Sequence, residues 1–411
     1  MPLRALPART VLAVSMCLGL AGAVLAGPPT TGAHRIGHVF VIVLENHGFE
    51  QTFGPGSEAP YLARALTRQG VLLSHYFATG HDSLDNYIAM LSGQAATPET
   101  RDDCAVFADF ALSATTADGQ AVGRGCVYPA SIRTLADQLT AQGLTWRAYL
   151  EDMGNDPARE AATCGHPPVG APDLTQDAEA PSTTLARGDQ YAARHNPFVY
   201  FHSIIDSPLC ATGVVELARL EGDLATEAAT PNFVFIAPNL CNDAHDAPCV
   251  DGSPGGLVSA DRFLQSWVPA IMASPAYRRD GLLIITFDEG DVMEGRDAAG
   301  LREYTYAGEH CCNQQAGPNL APFPQSTVSD GTRYTYRDFG GERVGAVLLS
   351  PFLTPGTESA TPFNHYSLLR TVEDVFGLGH LGYAAQPGLN GFFGCDDCDI
   401  TAGIRLGPPT P

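Results

Sequence analysis

Glu45-Asn46-His47-Gly48 follows directly on an apolar run, Val39 to Leu44, and so places a carboxylate and an amide where a strand would end. Ligands of open α/β sheets collect at such ends, although Asn and Gly are equally the residues of an ordinary turn. Asp288-Glu289-Gly290 closes a second run, Leu282 to Phe287. Two adjacent carboxylates repel each other unless a cation lies between or beside them, and a divalent ion is the simplest candidate. A third group, Asn239, Asn242, Asp243, His245 and Asp246, follows the run Phe233 to Ile236. It can touch an anion or bind cations, and its plainer reading is an Asx-rich loop tied by Cys241 and Cys249.

Ser83 stands in Thr79-Gly-His81-Asp-Ser-Leu-Asp-Asn86-Tyr87, just ahead of the apolar segment Ile88 to Leu91. A helix N-terminus favours an anion through its free N–H groups and its dipole, which suits a nucleophile that must hold a transferred anionic group; N-capping is the competing role. His365, in Phe363-Asn-His-Tyr-Ser367, opens another amphipathic segment. Histidine titrates near neutrality and can donate to an anion or protonate a leaving oxygen. Glu309-His310, beside Cys311 and Cys312, is a secondary candidate. Each cluster alone reads as a cap or a turn; five of them at corresponding strand ends or helix starts do not read as coincidence.

The elements that must hold these clusters follow from the same pattern. Near-continuous apolar runs at 39–44, 71–77, 146–150, 233–236, 282–287 and 344–349 are those of strands buried on both faces. Helical periodicity lies between them, at 61–68, 132–141, 214–225, 260–273 and 366–376. The alternation predicts a three-layer α/β/α sandwich with a largely parallel central sheet. Stretches 94–130, 152–210 and 291–341, rich in Gly, Pro, Asp and Thr, read as loops inserted into one domain spanning 27–411.

Arg4 and Arg9, an uncharged stretch from Val11 to Leu25, and Ala26 with Val24 two positions before it form the pattern of an export signal cut after Ala26. The stretch is shorter than the roughly 20 residues of a spanning helix, so no stable membrane anchor is expected. Met16 before Cys17 is too large for a lipoprotein site. Removing 1–26 leaves ten of the eleven cysteines, an even number that in an exported chain, secreted or periplasmic, reads as disulfides. Sequence order suggests Cys104 with Cys126, Cys164 with Cys210 and Cys241 with Cys249, and leaves Cys311, Cys312, Cys395 and Cys398 open. The chain carries a net charge of −22, has no lysine and shows no arginine stripe, which argues against nucleic acid as a partner. An acidic protein acting on an anionic ester must neutralise it locally, as a bound cation does.

Taken together, Val39 to His47, His81 to Tyr87, Pro238 to Asp246, Phe287-Asp-Glu289 and Asn364 to Asp374 resemble the bacterial and fungal phosphoesterase family, in the same order and over residues 38 to 376. That family includes secreted acid phosphatases and phospholipases C, within the alkaline phosphatase superfamily. The resemblance implies an alkaline phosphatase-like fold and a phosphoseryl intermediate on Ser83. It also implies a divalent metal (Ca, Mg, Mn or Zn) surrounded by Glu45, Asn46, Ser83, Asp288 and Glu289. Asn86, His245 and His365 would contact the phosphoryl group, with His245 or His365 protonating the leaving oxygen; Asn46, His81, Asp243 and Asp246 complete the expected substrate-binding set. Asp85 stands where relatives usually carry Pro, and Gly290 where phospholipases C typically carry His. The second departure favours a phosphomonoesterase acting on small or lipid phosphates. A phospholipase C-type diesterase is the alternative, as is a non-catalytic, calcium-binding exported protein.

Overall fold

The run Leu282 to Phe287 lies at the middle of a sheet of eight strands: β1 (His38–Leu44), β2 (Val71–Leu73), β3 (Trp146–Leu150), β4 (Val214–Glu216), β5 (Phe233–Ala237), β6 (Gly281–Phe287), β7 (Ala346–Leu349) and β8 (Thr357–Ser359). They hydrogen-bond in the order β8-β2-β7-β6-β1-β5-β3-β4 in this computed structural model, which describes residues 34–329, 331–394 and 404–405. Only β7 runs against its neighbours; the other pairs are parallel. Every residue of β1, β5 and β6 is buried, which is why these strands are apolar without alternation.

Helices pack in two groups. Helix α1 (Ser83–Ser92), α2 (Leu135–Ala141) and α4 (His365–Phe376) touch one another, while α3 (Gly256–Ala273) packs with the Pro275–Asp280 and Tyr61–Leu66 turns. With both faces of the central strands covered, this is the expected α/β/α arrangement. The described residues form one compact unit.

Local departures have readable causes. The predicted helix over 214–225 begins instead as β4, because β-branched Val214 and Val215 pair with Ala148 and Tyr149 at the sheet edge; only Arg219–Asp223 is helical. The run 71–77 breaks at Ser74-His75, and Tyr76–Phe77 pairs with Phe363–Asn364 instead, bringing the start of α4 beside the loop that precedes Ser83. The stretch 291–341 is not merely loop. Its segments Met293–Arg296, Arg302–Tyr306, Gln325–Ser329 and Thr332–Tyr336 form a four-stranded sheet, and Ala111–Thr115 with Ala121–Arg124 forms a hairpin. Those strands are largely exposed or half-buried and carry no continuous apolar run, so apolar periodicity does not mark them.

Cys104–Cys126, Cys164–Cys210 and Cys241–Cys249 are bonded as their order suggests, and Cys311 bonds its neighbour Cys312. The expected export signal at 1–26 and the pair Cys395 and Cys398 lie outside the described residues. Among the described residues, no helix is long and apolar enough to cross a membrane.

Candidate active site

The register of the central strands assembles the carboxylates. Phe287 pairs with Leu44, so Glu45 and Asp288 leave the sheet side by side, and the Asp288 amide donates to the Leu44 carbonyl at 2.8 Å. Asn46 then turns into the left-handed region at φ 54°, a conformation Asn tolerates better than most residues. That turn lets its amide N–H reach Asp288 Oδ1 at 3.0 Å and its Nδ2 reach Glu289 Oε1 at 2.5 Å. From β5, on the other side of β1, the loop 239–246 returns so that the Glu45 N–H donates to the Asp243 carbonyl at 2.8 Å.

Ser83 opens α1 with its Oγ donating to Glu45 Oε2 at 2.8 Å, and one turn later the Tyr87 hydroxyl donates to Oε1 of the same carboxylate at 2.5 Å. The start of α1 already holds one anionic group, since the Leu84 N–H donates to Asp103 Oδ1 at 2.9 Å.

Burial governs the charges. It raises Glu45 well above the usual carboxylate range, reinforced by Asp288 and Asp243. Burial and the Glu289 charge lift Asp288 to about 7, and burial takes Asp243 to about 8. A histidine that the sequence reading passed over completes the group. His195 Nε2 lies 3.4 Å from Glu45 Oε2 and its Nδ1 3.2 Å from Asp243 Oδ2, with Tyr87 stacked on the ring at 5.3 Å. Neither nitrogen is aligned to hydrogen-bond a carboxylate, and burial beside Arg194 holds the ring neutral, its pKa well below the usual histidine value. Its stretch, 152–210, reads as disulfide-pinned loop, with no strand end to mark it.

The donor chemistry fits a divalent cation. Asn46 Oδ1, Asp288 Oδ2, Asp243 Oδ2 and both His195 nitrogens are buried without a hydrogen-bond partner. Glu45, His195 and Asp243 also offer ligand atoms all within 4.8 Å of one another. Unpartnered carboxylate oxygens in a buried place are costly unless a cation meets them.

Several expected substrate contacts have their hydrogen-bonding groups engaged by protein partners in the absence of a ligand. Asn86 Oδ1 accepts from Thr79 N, Thr79 Oγ1 and Gly80 N, and its Nδ2 donates to the Gly80 and Asp82 carbonyls, so it shapes the turn before Ser83. His81 lies between Glu289 Oε2, 3.0 Å from Nδ1, and Glu342 Oε2, 2.5 Å from Nε2. Burial works against its charge, but these two bonds outweigh it and raise the ring to about 10. His365 is buried with Nδ1 on the Tyr76 hydroxyl at 2.9 Å and Nε2 on the Asp288 carbonyl at 2.5 Å, and burial lowers it to about 4. It braces the backbone of Asp288, with both ring nitrogens engaged. His310 bonds the Gly308 carbonyl, lies 3.9 Å from Asp338 Oδ2 and packs on Phe339.

Asp243 sits with Glu45 and His195. His245 is exposed, its ring 6.3 Å from that of His195 and its Nδ1 2.8 Å from Asp246 Oδ1; desolvation of the ring works against its charge, but the Asp246 hydrogen bond and the Asp243 and Asp246 charges together outweigh it and raise its pKa.

The family described as "Phosphoesterase family" matches this sequence over residues 56–379. The chain belongs to the phosphoesterase family. Among curated relatives, this phosphoesterase is 26% identical over 250 residues to a phosphate-repressible acid phosphatase of Penicillium chrysogenum, covering 61% of this chain and 47% of that one. It is 23% identical over 343 residues to an acid phosphatase of Aspergillus fumigatus, covering 84% and 55%. It is also 23% identical over 387 residues to a phosphatidylinositol-3-phosphatase of Mycobacterium tuberculosis, covering 93% and 91%. The match thus spans about half the length of the fungal enzymes. A protein in the alkaline phosphatase superfamily from Vibrio parahaemolyticus aligns with TM-score 0.46 and 11% identity over 85% of this phosphoesterase and 68% of that chain.

Proposed function

We propose that this phosphoesterase is an exported acid phosphatase that hydrolyses phosphate monoesters, lipid phosphates among them, through a phosphoseryl intermediate on Ser83. The observation that carries the reading is the 2.8 Å contact of Ser83 Oγ with Glu45 at the opening of a helix, beside Asn46 and Asp288 with oxygens unpartnered. The relatives named acid phosphatase support the monoester class, and the phosphatidylinositol-3-phosphatase, matched over 91% of its length, supports lipid phosphates. Four disulfides support export.

Glu45, Asn46, Ser83, Asp288 and Glu289 would hold a divalent cation, which would supply Lewis-acid chemistry by lowering the hydroxyl pKa and neutralising charge on the phosphoryl oxygens. The oxygen-rich donor set suits Mg, Ca or Mn better than Zn. Glu45, its second oxygen held by Tyr87, accepts the Ser83 proton as Oγ attacks phosphorus. The bond from phosphorus to the leaving oxygen breaks, and His245, exposed at the rim, donates a proton to that oxygen. Water then attacks the phosphoseryl group, giving up a proton to His245, the bond from phosphorus to Ser83 Oγ breaks as Glu45 returns its proton to that oxygen, and inorganic phosphate leaves.

The test compares wild type with Ser83→Ala and Asp288→Ala on p-nitrophenyl phosphate and bis(p-nitrophenyl) phosphate, with and without EDTA. Monoester turnover is expected to fall by roughly three powers of ten or more in Ser83→Ala with an unchanged circular dichroism spectrum. Full activity in Ser83→Ala sinks the nucleophile, indifference to EDTA sinks the metal, and faster diester than monoester turnover makes the enzyme a diesterase.

A further inference from the structure

Glu342 lies outside every sequence cluster that pointed to chemistry, yet its side chain ends on the carboxylate centre. Its Oε2 accepts from His81 Nε2 at 2.5 Å, and the opposite ring nitrogen reaches Glu289 Oε2 at 3.0 Å. Glu289 is tied at its other oxygen to Asn46 Nδ2 at 2.5 Å, and the Asp82 N–H, next to Ser83, donates to Oε2 at 2.7 Å. A ring with a carboxylate on each nitrogen donates from both, because carboxylates only accept. Tyr306 closes over that ring at 4.5 Å.

The backbone of Glu342 makes this placement informative. Its φ is 68°, a left-handed conformation that a glutamate adopts at a cost and a glycine adopts freely. Its Oε1 accepts from the Gly308 N–H at 2.7 Å, so the side chain is held from the inserted 291–341 segment while it holds His81. A Cβ on Gly290, the residue after Glu289, would lie 2.7 Å from the Glu342 Cβ, so the two chains meet where only one side chain fits.

We infer that Glu342 is a positioning residue of this centre: acting through His81 and Glu289, which accepts from Asn46 Nδ2, it aims the unpartnered Asn46 Oδ1 at the divalent cation. The inference rests on the metal reading of Glu45, Asn46, Asp288 and Glu289 given above. Partners one step behind a metal ligand orient it and set its basicity, and removing one typically weakens metal binding about 10–100-fold.

The test is a calorimetric titration of the full chain with Mn2+, and in parallel Ca2+ and Mg2+. It uses wild type, Glu342→Ala, Glu342→Gln, His81→Ala, the His81→Ala/Glu342→Ala double variant and Asp288→Ala, each checked for its thermal midpoint. Glu342→Ala is expected to raise the Kd of the tightest ion about 10–100-fold, and Glu342→Gln, which keeps one acceptor oxygen, by less. The double variant is expected to bind no more weakly than His81→Ala alone, because Glu342 acts through that ring. A wild-type Kd in Glu342→Ala, or losses that simply add in the double variant, overturns the positioning role while leaving the metal site standing. Failure of wild type to bind any of the three ions, or wild-type binding by Asp288→Ala, overturns the metal reading and this inference with it.

Discussion

Four histidines surround the carboxylate centre in four different environments, and those environments divide their work. His81 is held between two carboxylates, His365 is buried against a hydroxyl and a carbonyl, and His195 faces carboxylates without bonding them. His245 is the one of the four that is exposed, with Asp246 to support its protonated form. If it protonates the leaving oxygen, its loss matters most where that oxygen is basic. His245→Gln is therefore expected to slow an alkyl phosphate such as glycerol phosphate by about 100-fold while slowing p-nitrophenyl phosphate far less, as steady-state kcat on the two substrates would show. Equal slowing of both would remove His245 from that step. Residue types at strand ends were legible beforehand: Glu45, Asn46, Asp288 and Glu289 converge because each follows an apolar run. What a linear sequence does not carry is how a polar group satisfies itself. Asn86 and His365 lie in the expected segments but turn their hydrogen bonds on their own surroundings, whereas His195 arrives from a stretch with no strand to announce it.

At the scale of elements, the turn 79–82 is what delivers Ser83, and it is held from several sides. Asn86 closes it from within α1, Gln314 Nε2 donates to the Thr79 carbonyl at 2.6 Å, and the Tyr336 hydroxyl donates to Asp82 Oδ2 at 3.1 Å. Segment 340–343 runs alongside, so close that a Cβ on Gly341 would fall 2.0 Å from the Gly80 carbonyl oxygen. Gly341→Ala must therefore push one backbone off the other. A displacement of about 1 Å at a reacting group costs on the order of 100-fold in rate, so kcat is expected to fall by about that factor, in a protein still folded by circular dichroism. Wild-type kcat in Gly341→Ala would show that the turn does not determine the position of Ser83. The six apolar runs became strands because burial on both faces leaves a continuous signature. The 291–341 sheet that supplies Tyr306 and Tyr336 was hidden because its strands are polar and for the most part only half-buried or exposed, and Val214–Glu216 was hidden because three β-branched or polar residues at an edge also fit the helical period.

Across the whole molecule, an excess of acids is accommodated partly by keeping buried carboxyls protonated. Glu373, about two turns along α4 from His365, is fully buried, accepts from the Leu381 N–H at 2.9 Å, and is raised by burial to about 9; burial likewise lifts Glu151, at the end of β3, to about 7. An unfolded glutamate loses its proton near 4.3, so between that pH and about 9 the folded state binds more protons at Glu373 than the unfolded state does. Stability must then fall as pH rises through that window, and the contribution is fully favourable only below it. By pH 7 the cost at Glu373 is on the order of 3–4 kcal/mol, taking the raised pKa at face value. Glu373→Gln puts a neutral group of the same shape in place and removes this term. In EDTA, which isolates the protein's own titration from metal binding, the wild-type thermal midpoint is expected to decline from pH 5 to pH 8. Glu373→Gln should decline less steeply, standing several degrees above wild type at pH 8 and meeting it near pH 4. Parallel curves for the two proteins would mean that Glu373 is ionised in the folded state, and that the acid tolerance of this fold has a different source.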